Sequence, residues 1–346
     1  MIMKIKGFFT ISILISLVAL YSCDITKKKV ELIKVNGNSF VLESGDSVIF
    51  RGLAMADPYK LDTMNAWKPE YFKEAKNWGA NLVRVPVLPI MWRKAGKETY
   101  VKYLDEAVKW AEQSGLYVII DWHSMGNLNT EIFQDSIYDT SMEETYEFWR
   151  LISKRFNGNN TVAFYEIFNE PTTWFGKFGE MSWDRWRDIA KSIVDTIRLY
   201  DTETIPLIAG LDWGYDLTQV GEKPFDIENI AYAIHPYPQK SKEPWEENWE
   251  KTWGYVADSY PMIAAEFGYA YEDEEGSHFP TYVTSNDFAE RIVTYFSKKG
   301  MSWTIWCFAW DWYPVLLQDS NYTPSPTQGT FFKKVLQENI TSFPKS

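Results

Sequence analysis

Short apolar segments typical of buried strands alternate with amphipathic helical segments along most of this 346-residue chain. The expected strands lie at residues 48–54, 81–87, 116–122, 162–170, 205–211, 230–235, 262–267 and 302–308. The expected helices lie at 69–78, 100–114, 141–156, 182–199, 216–220, 245–259, 287–299 and 329–338. Strands that alternate with helices in this way predict an α/β fold, namely a single (β/α)8 barrel.

The principal alternative with the same alternation is a doubly wound open sheet. No Gly-x-Gly-x-x-Gly motif or phosphate-binding loop follows any of the expected strands, which disfavours that fold. Ahead of the barrel, two alternating runs within residues 37–50 flank a glycine-bearing turn at 43–46 and predict a short β-hairpin. Residues 36–346 are therefore expected to form one (β/α)8 domain.

The first 23 residues are typical of a lipoprotein-type signal peptide. Two lysines precede an apolar run at 7–20, and residues 20–23, Leu-Tyr-Ser-Cys, resemble the lipobox of bacterial lipoproteins. That resemblance implies lipidation of Cys23 and attachment to the bacterial outer membrane, in the periplasm or at the cell surface. An ordinary signal peptide with an incidental cysteine is the alternative, and both interpretations predict export. Residues 24–35 are expected to form a polar tether.

Composition excludes several classes of partner. The net charge of −12 and the sequence pI near 4.9 do not suit nucleic-acid binding. Contact with a membrane is expected only through a lipid at Cys23. Two cysteines cannot build a disulfide framework, and three histidines are too few for the ligand clusters of metal-dependent barrel hydrolases. We therefore expect no metal and no other cofactor, and a monomer, since nothing in the sequence demands a second subunit.

Two of the expected strands deliver a glutamate at their carboxyl ends. The strand at 162–170 ends in Asn169-Glu170, and Pro171 cannot continue it. A later strand carries Glu266 near its end. The carboxyl ends of barrel strands face one mouth, so both carboxylates are expected there. Two carboxylates about 5 Å apart are what retaining glycoside hydrolysis requires.

Other polar and aromatic residues also follow expected strands and would share that mouth. They are Arg84, Asp121, His123, Asp212, Trp213, His235, Tyr237 and Trp306. Each alone has a structural explanation, such as a surface ion pair for the arginine or a hydrogen-bonded core position for each histidine. All of them at one end of one barrel instead indicate an active site.

The chemistry of glycoside cleavage suggests roles for several of these residues. The nucleophile must stay ionised, so Arg84 and Tyr237 are its candidate partners. Asn169 is a candidate donor to a substrate 2-hydroxyl, and Trp306 offers a flat apolar face to a pyranose ring. Aromatic residues in loops after strand ends predict an extended cleft and internal cleavage. They are Trp92, Trp174, Trp213, Trp310, Trp312, Tyr269 and Tyr271.

A further glutamate, Glu166, lies on the same strand and the same side as Glu170. It is interpreted as a carboxylate of the barrel interior rather than as the catalytic acid. An unpaired buried charge is costly, so Arg51 or Arg84 is expected to balance it.

These motifs together resemble glycoside hydrolase family 5, the cellulase and mannanase family of retaining (β/α)8 barrels in clan A. The motifs are Val-Arg84-Val-Pro, Asp-Trp-His123, Asn169-Glu170-Pro, His235-Pro-Tyr237, Ala-Glu266-Phe-Gly and Trp-Thr-Ile-Trp306, and they span roughly residues 36–339. The resemblance implies a double displacement with Glu170 as acid/base and Glu266 as nucleophile. Cys307 is a departure, because many members carry serine there. It either changes a subsite contact or is a buried free thiol.

The activity implied by the resemblance is an endo-β-1,4-glucanase that acts on a β-linked polysaccharide or oligosaccharide. An endo-β-mannanase or a xyloglucanase would use the same residues, since glucose and mannose differ in the direction of one hydroxyl. A non-catalytic glycan-binding lipoprotein is the alternative from a different class. Loss of either glutamate would favour that alternative, and both glutamates are present.

Overall fold

A closed barrel of parallel strands forms the centre of the molecule. The computed structural model describes residues 30–174 and 179–343, and within those ranges the barrel has eight strands. They are β1 (Arg51–Met55), β2 (Leu82–Val87), β3 (Tyr117–Trp122), β4 (Val162–Glu166), β5 (Ile205–Ala209), β6 (Ala231–Ile234), β7 (Met262–Ala264) and β8 (Ser302–Phe308). Each strand pairs in parallel with the next one along the chain, and β8 pairs with β1. The predicted (β/α)8 barrel is confirmed.

Helices cover the outside of the barrel. In the described residues they are α1 (Pro58–Thr63), α2 (Pro69–Asn77), α3 (Pro89–Ala95), α4 (Lys97–Ser114), α5 (Met142–Phe156), α6 (Trp183–Arg198), α7 (Leu211–Gly214), α8 (Trp245–Thr252), α9 (Asp287–Lys298) and α10 (Gln328–Gln337), with 3₁₀ turns at Pro238–Lys240 and Gly254–Asp258. In α6, apolar residues such as Trp186, Ile189 and Ile193 recur every three or four positions and are buried, and Ser182 caps the amino end. Within residues 30–174 and 179–343, none of the helices has the length and apolar character needed to cross a membrane.

Two helix predictions are corrected by the structure. Residues 216–220 form turns instead of a helix, because Asp216 exchanges both backbone hydrogen bonds with Leu211. The helix predicted at 245–259 ends as an α-helix at Thr252 and is followed by a 3₁₀ turn. In that turn Gly254 lies so close to the Tyr295 hydroxyl that a Cβ would not fit.

The strand predicted at 162–170 is also shorter than expected, and the way it ends positions a candidate catalytic residue. β4 ends at Glu166, and Glu170–Pro171 forms a separate parallel pair with Met125–Gly126. The Glu170 amide donates to the Ser124 carbonyl at 3.1 Å. The backbone therefore leaves the β5 ladder and follows the segment after β3, which carries Glu170 beyond the end of the barrel sheet.

A small antiparallel sheet precedes the barrel. Its strands in the described residues are Ile33–Asn36, Ser39–Leu42 and Ser47–Val48, so the predicted hairpin is present with an additional strand. The tether predicted at 24–35 is therefore too long, because Ile33 is buried in an apolar cluster with Phe40. The signal peptide predicted at 1–23, including Cys23, and the start of the tether lie outside the described residues.

Candidate active site

One buried arginine connects the acidic residues at the carboxyl end of the barrel. Arg84 comes from β2, and its Nε contacts Glu166 Oε2 at 2.6 Å. Its Nη1 contacts Glu266 Oε2 at 2.9 Å. Its Nη2 lies 2.9 Å from Asp121 Oδ2 and donates to Asn169 Oδ1 at 2.6 Å. Burial opposes the charge of the guanidinium, but the three carboxylates outweigh burial and raise the pKa of Arg84.

Glu266 follows β7, and both of its carboxylate oxygens are engaged. Oε2 receives the Arg84 guanidinium, and Tyr237 Oη donates to Oε1 at 2.8 Å. Burial and the Glu266 charge raise the pKa of Tyr237 well above its ordinary value. The tyrosine therefore keeps its proton and acts as a donor at neutral pH. A cation and a hydroxyl donor thus orient the Glu266 carboxylate, as the sequence predicts.

His235 bridges two glutamates. Its Nδ1 lies 2.9 Å from Glu170 Oε1, and its Nε2 lies 3.1 Å from Glu166 Oε1. Burial opposes protonation, but the hydrogen bonds with both glutamates outweigh it and raise the pKa of His235 to about 10. Burial also opposes the charge of Glu166, yet Arg84 and His235 lower the pKa of Glu166 to about 2. At neutral pH His235 is a cation that donates from both nitrogens, and Glu166 has Arg84 as its expected partner.

The two glutamates predicted at the mouth lie side by side. One oxygen of Glu170, one oxygen of Glu266 and one nitrogen of His235 all lie within 4.8 Å of one another. The two glutamates are nearly buried, with 4% and 5% of their surface exposed. Three such donors could in principle approach one metal ion. Both nitrogens of His235 and both oxygens of Glu266 already contact protein groups, so metal coordination would require breaking those contacts.

An aromatic cluster lies beside the arginine. The His123 ring is parallel to Trp306, with an interplanar angle of 1° and ring centres 5.3 Å apart. Trp312 meets Trp306 edge to face at 4.8 Å. His123 Nδ1 contacts Asp121 Oδ2 at 2.7 Å, and burial lowers the pKa of His123 to about 4, so the ring is neutral at pH 7. His123, Trp306 and Trp312 thus form one group of contacting rings beside Arg84.

Residues 41–311 match the profile of Cellulase (glycosyl hydrolase family 5). The chain belongs to glycosyl hydrolase family 5. Among solved structures, the native β-glucanase of Saccharophagus degradans shares 44% sequence identity, covering 90% of this chain and 94% of that one, with a TM-score of 0.88. The same β-glucanase in complex with cellotetraose matches with 43% identity and a TM-score of 0.87 over 90% and 94% of the two chains.

Two endoglucanases are more distant relatives of this chain. Endoglucanase A of Butyrivibrio fibrisolvens is 28% identical over 215 residues, which are 59% of this chain and 44% of that protein. Endoglucanase E-5 of Thermobifida fusca is 24% identical over 250 residues, which are 68% of this chain and 47% of that protein. The chain thus spans less than half of the length of either endoglucanase.

In this family 5 barrel, the predicted loop tryptophans have different environments. Trp174 and Trp213 are half-buried and meet edge to face, with ring centres 5.1 Å apart. Trp310 is half-buried against the main core, and within the described residues no ring contact joins it to the aromatic cluster around His123. Trp92 is 1% exposed and packs on Trp122 in the core, so its predicted place in the cleft is wrong.

The tyrosines predicted to line the cleft after Glu266 also point elsewhere. Tyr269 is buried and, like Tyr271, donates to the Asn286 side chain, at 2.7 and 3.1 Å respectively. Cys307, the departure from the family pattern, is fully buried, and its thiol lies 3.7 Å from the Met55 carbonyl. This environment favours the interpretation of a buried free thiol.

Several residues near the site were not found by sequence reasoning. Lys240 lies 4.7 Å above the Trp213 ring, and Gln134 accepts the indole N–H of Trp213 at 2.6 Å. Tyr138 packs near His123, and burial together with the charges of Glu170 and Glu266 raises its pKa. These residues sit in loops several positions past strand ends, where no periodic pattern marks them. The only feature of the sequence that points to these residues is their position in loops that follow strands.

Proposed function

We propose that this family 5 chain is a retaining endo-β-1,4-glucanase in which Glu170 is the acid/base and Glu266 the nucleophile. The observation that carries the proposal is that one oxygen of Glu170 lies within 4.8 Å of one oxygen of Glu266. In retaining glycosidases the two carboxyl groups lie about 5–5.5 Å apart, whereas inverting enzymes leave about 6.5–9.5 Å for a water molecule. The separation therefore supports a double displacement.

The surroundings of the two carboxylates fit different tasks. Glu266 is held by Arg84 and Tyr237, so it is oriented as an anion for attack on the anomeric carbon. The Asn169 amide oxygen accepts from Arg84, which directs its NH2 group away from the guanidinium. Among the described residues, that buried Nδ2 has no hydrogen-bond partner. A substrate 2-hydroxyl is the partner we propose for it.

Glu170 has a cation beside it, which stabilises the ionised form of its carboxyl group. In the first step Glu170 gives its proton to the leaving oxygen and becomes an anion beside the His235 cation, 2.9 Å away. In the second step the anion takes a proton from the water that releases the glycosyl group from Glu266. His235 stabilises the carboxylate between the two steps, and Glu166 balances the charge of His235 when Glu170 is protonated.

The preference for β-1,4-glucan rests on relatives. Two of this chain's relatives are endoglucanases, and the Saccharophagus β-glucanase was solved with cellotetraose. A β-mannan or xyloglucan is the alternative substrate. Reducing-end release by residues 24–346 should be measured on soluble cellulose, β-mannan, xyloglucan and mixed-linkage glucan, with Glu266→Gln as the blank. Release from a glucan that disappears in the variant supports the proposal, whereas binding without release would favour a glycan-binding protein.

The stereochemistry tests the mechanism separately from the substrate. Proton NMR of cellotetraose hydrolysis should show the β-anomer of the new reducing end first, followed by mutarotation to the α-anomer. Initial appearance of the α-anomer would rule out the double displacement. It would leave the glucanase activity itself intact.

We also propose that the protein is exported and anchored by a lipid at Cys23. The support is the apolar run at 7–20 and the Leu-Tyr-Ser-Cys motif at 20–23. The full chain expressed in a bacterial host should fractionate with the outer membrane, and Cys23→Ser should release it. Cys307→Ser is the matched control and should leave the protein on the membrane. Soluble wild-type protein without an attached lipid would contradict the anchor.

A further inference from the structure

A lysine–tryptophan pair lies on each side of the two glutamates. On one side, Lys60 Nζ lies 4.9 Å from the ring centre of Trp312. Lys60 belongs to α1, which follows β1, and Trp312 belongs to the loop after β8. On the other side, Lys240 Nζ lies 4.7 Å from the ring centre of Trp213, and these residues follow β6 and β5. In a closed barrel of eight strands, β1 and β5 are diametrically opposed. The two pairs therefore flank the mouth from opposite sides.

The pair of Trp213 and Lys240 lies on the side of the proposed acid. Gly214, next to Trp213, accepts the His235 amide at 2.9 Å, and a Cβ on this glycine would meet the His235 ring at 3.0 Å. His235 in turn contacts Glu170. The ring that meets Trp213 edge to face belongs to Trp174, on the same loop as Glu170.

The pair of Lys60 and Trp312 lies on the opposite side. Trp312 packs on Trp306 and on His123, and the Arg84 guanidinium carbon lies 5.9 Å above the Trp306 ring. This group adjoins the contact of Arg84 with the proposed nucleophile. During cleavage the glycosyl group stays with the nucleophile, while the departing sugar receives a proton from the acid. The departing sugar is therefore expected on the side of Trp213.

The backbone beneath Trp213 is held in an unusual conformation. Asp212 has φ 56° and ψ 56°, and Trp213 has φ 56° and ψ 50°, so two consecutive non-glycine residues are left-handed and α7 is not a regular α-helical turn. Such strain persists where the surroundings determine the conformation, and it is frequent at ligand-binding positions. Here Lys240 Nζ donates to the Asp212 carbonyl at 2.8 Å, and Gln134 accepts the Trp213 indole N–H at 2.6 Å.

Lys240 contacts both the left-handed backbone and the Trp213 ring. Its side chain is 11% exposed, so its ammonium group is largely withdrawn from solvent. One contact fixes the carbonyl of the strained residue, and the other places a cation against the ring that follows it. Removal of the lysine would take away one support of the Asp212 backbone and one contact of the Trp213 ring.

We propose that Lys240 is a positioning residue that holds Trp213 as the platform for the departing sugar. The inference rests on the proposed retaining glucanase activity. It predicts that loss of Lys240 lowers kcat/KM strongly when the leaving group is a sugar and less when the leaving group is a single atom. Cellotetraose cleaved at its central bond and β-cellobiosyl fluoride make that comparison, because both then present a cellobiosyl unit to the nucleophile.

The experiment measures kcat/KM for both substrates and takes the ratio of cellotetraose to fluoride. In Lys240→Met the ratio is expected to fall about tenfold, because the platform loses a desolvated cation and its backbone anchor. Trp213→Leu should lower the ratio at least as far, and Lys240→Arg should restore part of it. Lys60→Met is the matched control on the opposite side, and its ratio should stay within about twofold of wild type.

A second readout uses the covalent intermediate. Added cellobiose should intercept the intermediate formed from the fluoride, and Lys240→Met should raise the acceptor concentration needed for half-maximal transfer. Equal losses on both substrates with unchanged acceptor saturation would make Lys240 a general structural residue and overturn the inference. If wild type hydrolyses neither substrate, the proposed function fails instead, so the two failures are distinguishable.

Discussion

Arg84 and Glu166 form a fully buried ion pair, with Nε 2.6 Å from Oε2. The same guanidinium reaches Glu266, and the other oxygen of Glu166 contacts His235 at 3.1 Å. His235 contacts Glu170 in turn. One carboxylate in the barrel interior therefore supports the groups beside both proposed catalytic residues.

Replacement of Glu166 by glutamine should lower both the stability and the kcat of the protein. The substitution keeps the shape but leaves the buried charges of Arg84 and His235 without one counter-charge. We expect a loss of about 3 kcal/mol in the free energy of unfolding, measured in urea, together with reduced kcat. An inactive Glu166→Gln variant with wild-type stability would instead assign a catalytic role to Glu166.

Removal of the Tyr237 hydroxyl should affect catalysis more than folding. Tyr237→Phe deletes the donor that lies 2.8 Å from Glu266 Oε1, and kcat is expected to fall by about tenfold to a hundredfold. Tyr232→Phe is the matched control: it also removes one buried hydroxyl, which accepts the Phe225 amide at 3.1 Å. The control should keep wild-type kcat, and equal losses in both variants would contradict the prediction.

Azide should distinguish the roles of the two glutamates. In Glu170→Ala, a β-cellobioside with a good leaving group can still form the intermediate, and azide can then replace water to give the β-cellobiosyl azide. In Glu266→Ala, azide can occupy the space of the missing nucleophile and attack directly, which gives the α-azide. NMR of the products decides the assignment, and the reversed pair of products would exchange the roles of Glu170 and Glu266.

Stability should decrease between about pH 6.5 and pH 10 because of His235. Its pKa is raised to about 10 in the folded protein, above the value of about 6.5 expected when unfolded. The folded state therefore binds more protons in this window. The contribution is fully present below about pH 6.5 and is lost as the pH rises to about 10.

Urea unfolding of wild type and His235→Gln at several pH values checks this prediction. The difference in unfolding free energy between the two should shrink with rising pH by a few kcal/mol. Glu166 affects stability at low pH, because its pKa is lowered to about 2 in the folded protein. Its contribution to the free energy of unfolding is present above about pH 4.5 and is lost as the pH falls through 2. A difference that stays constant from pH 6 to pH 10 would contradict the role of His235.

Cys307 should be unreactive in the folded protein. It is fully buried, and burial raises the pKa of its thiol well above the ordinary value. In residues 24–346 it is the sole cysteine, so alkylation by iodoacetamide at pH 8 reports on one thiol. Mass spectrometry should find no labelling in buffer and one label per chain in urea. Rapid labelling of the native protein would place the thiol at a site accessible from solvent.

The alternation of strands and helices could be predicted from the sequence, because apolar periodicity is a local property. β8 was predicted with its observed bounds, Ser302–Phe308. Strand parity also placed Glu166 in the barrel interior. The strand at 162–170 was predicted too long, because its last residues pair with a neighbouring loop whose path no local pattern contains.

The tertiary structure alone decided which loop residues meet at the mouth. Trp92 and Trp213 both follow expected strand ends in the sequence. The first nevertheless packs in the core, whereas the second contacts Gln134 and Lys240. The difference arises because Trp213 and Gln134 are 79 positions apart in the chain and are brought together only by the closure of the barrel. The sequence by itself determined the alternation of strands and helices and the two glutamates near strand ends, since each strand, each helix and each glutamate belongs to one segment of the chain. The lysine that holds Trp213 depends on several segments, and only their packing reveals it.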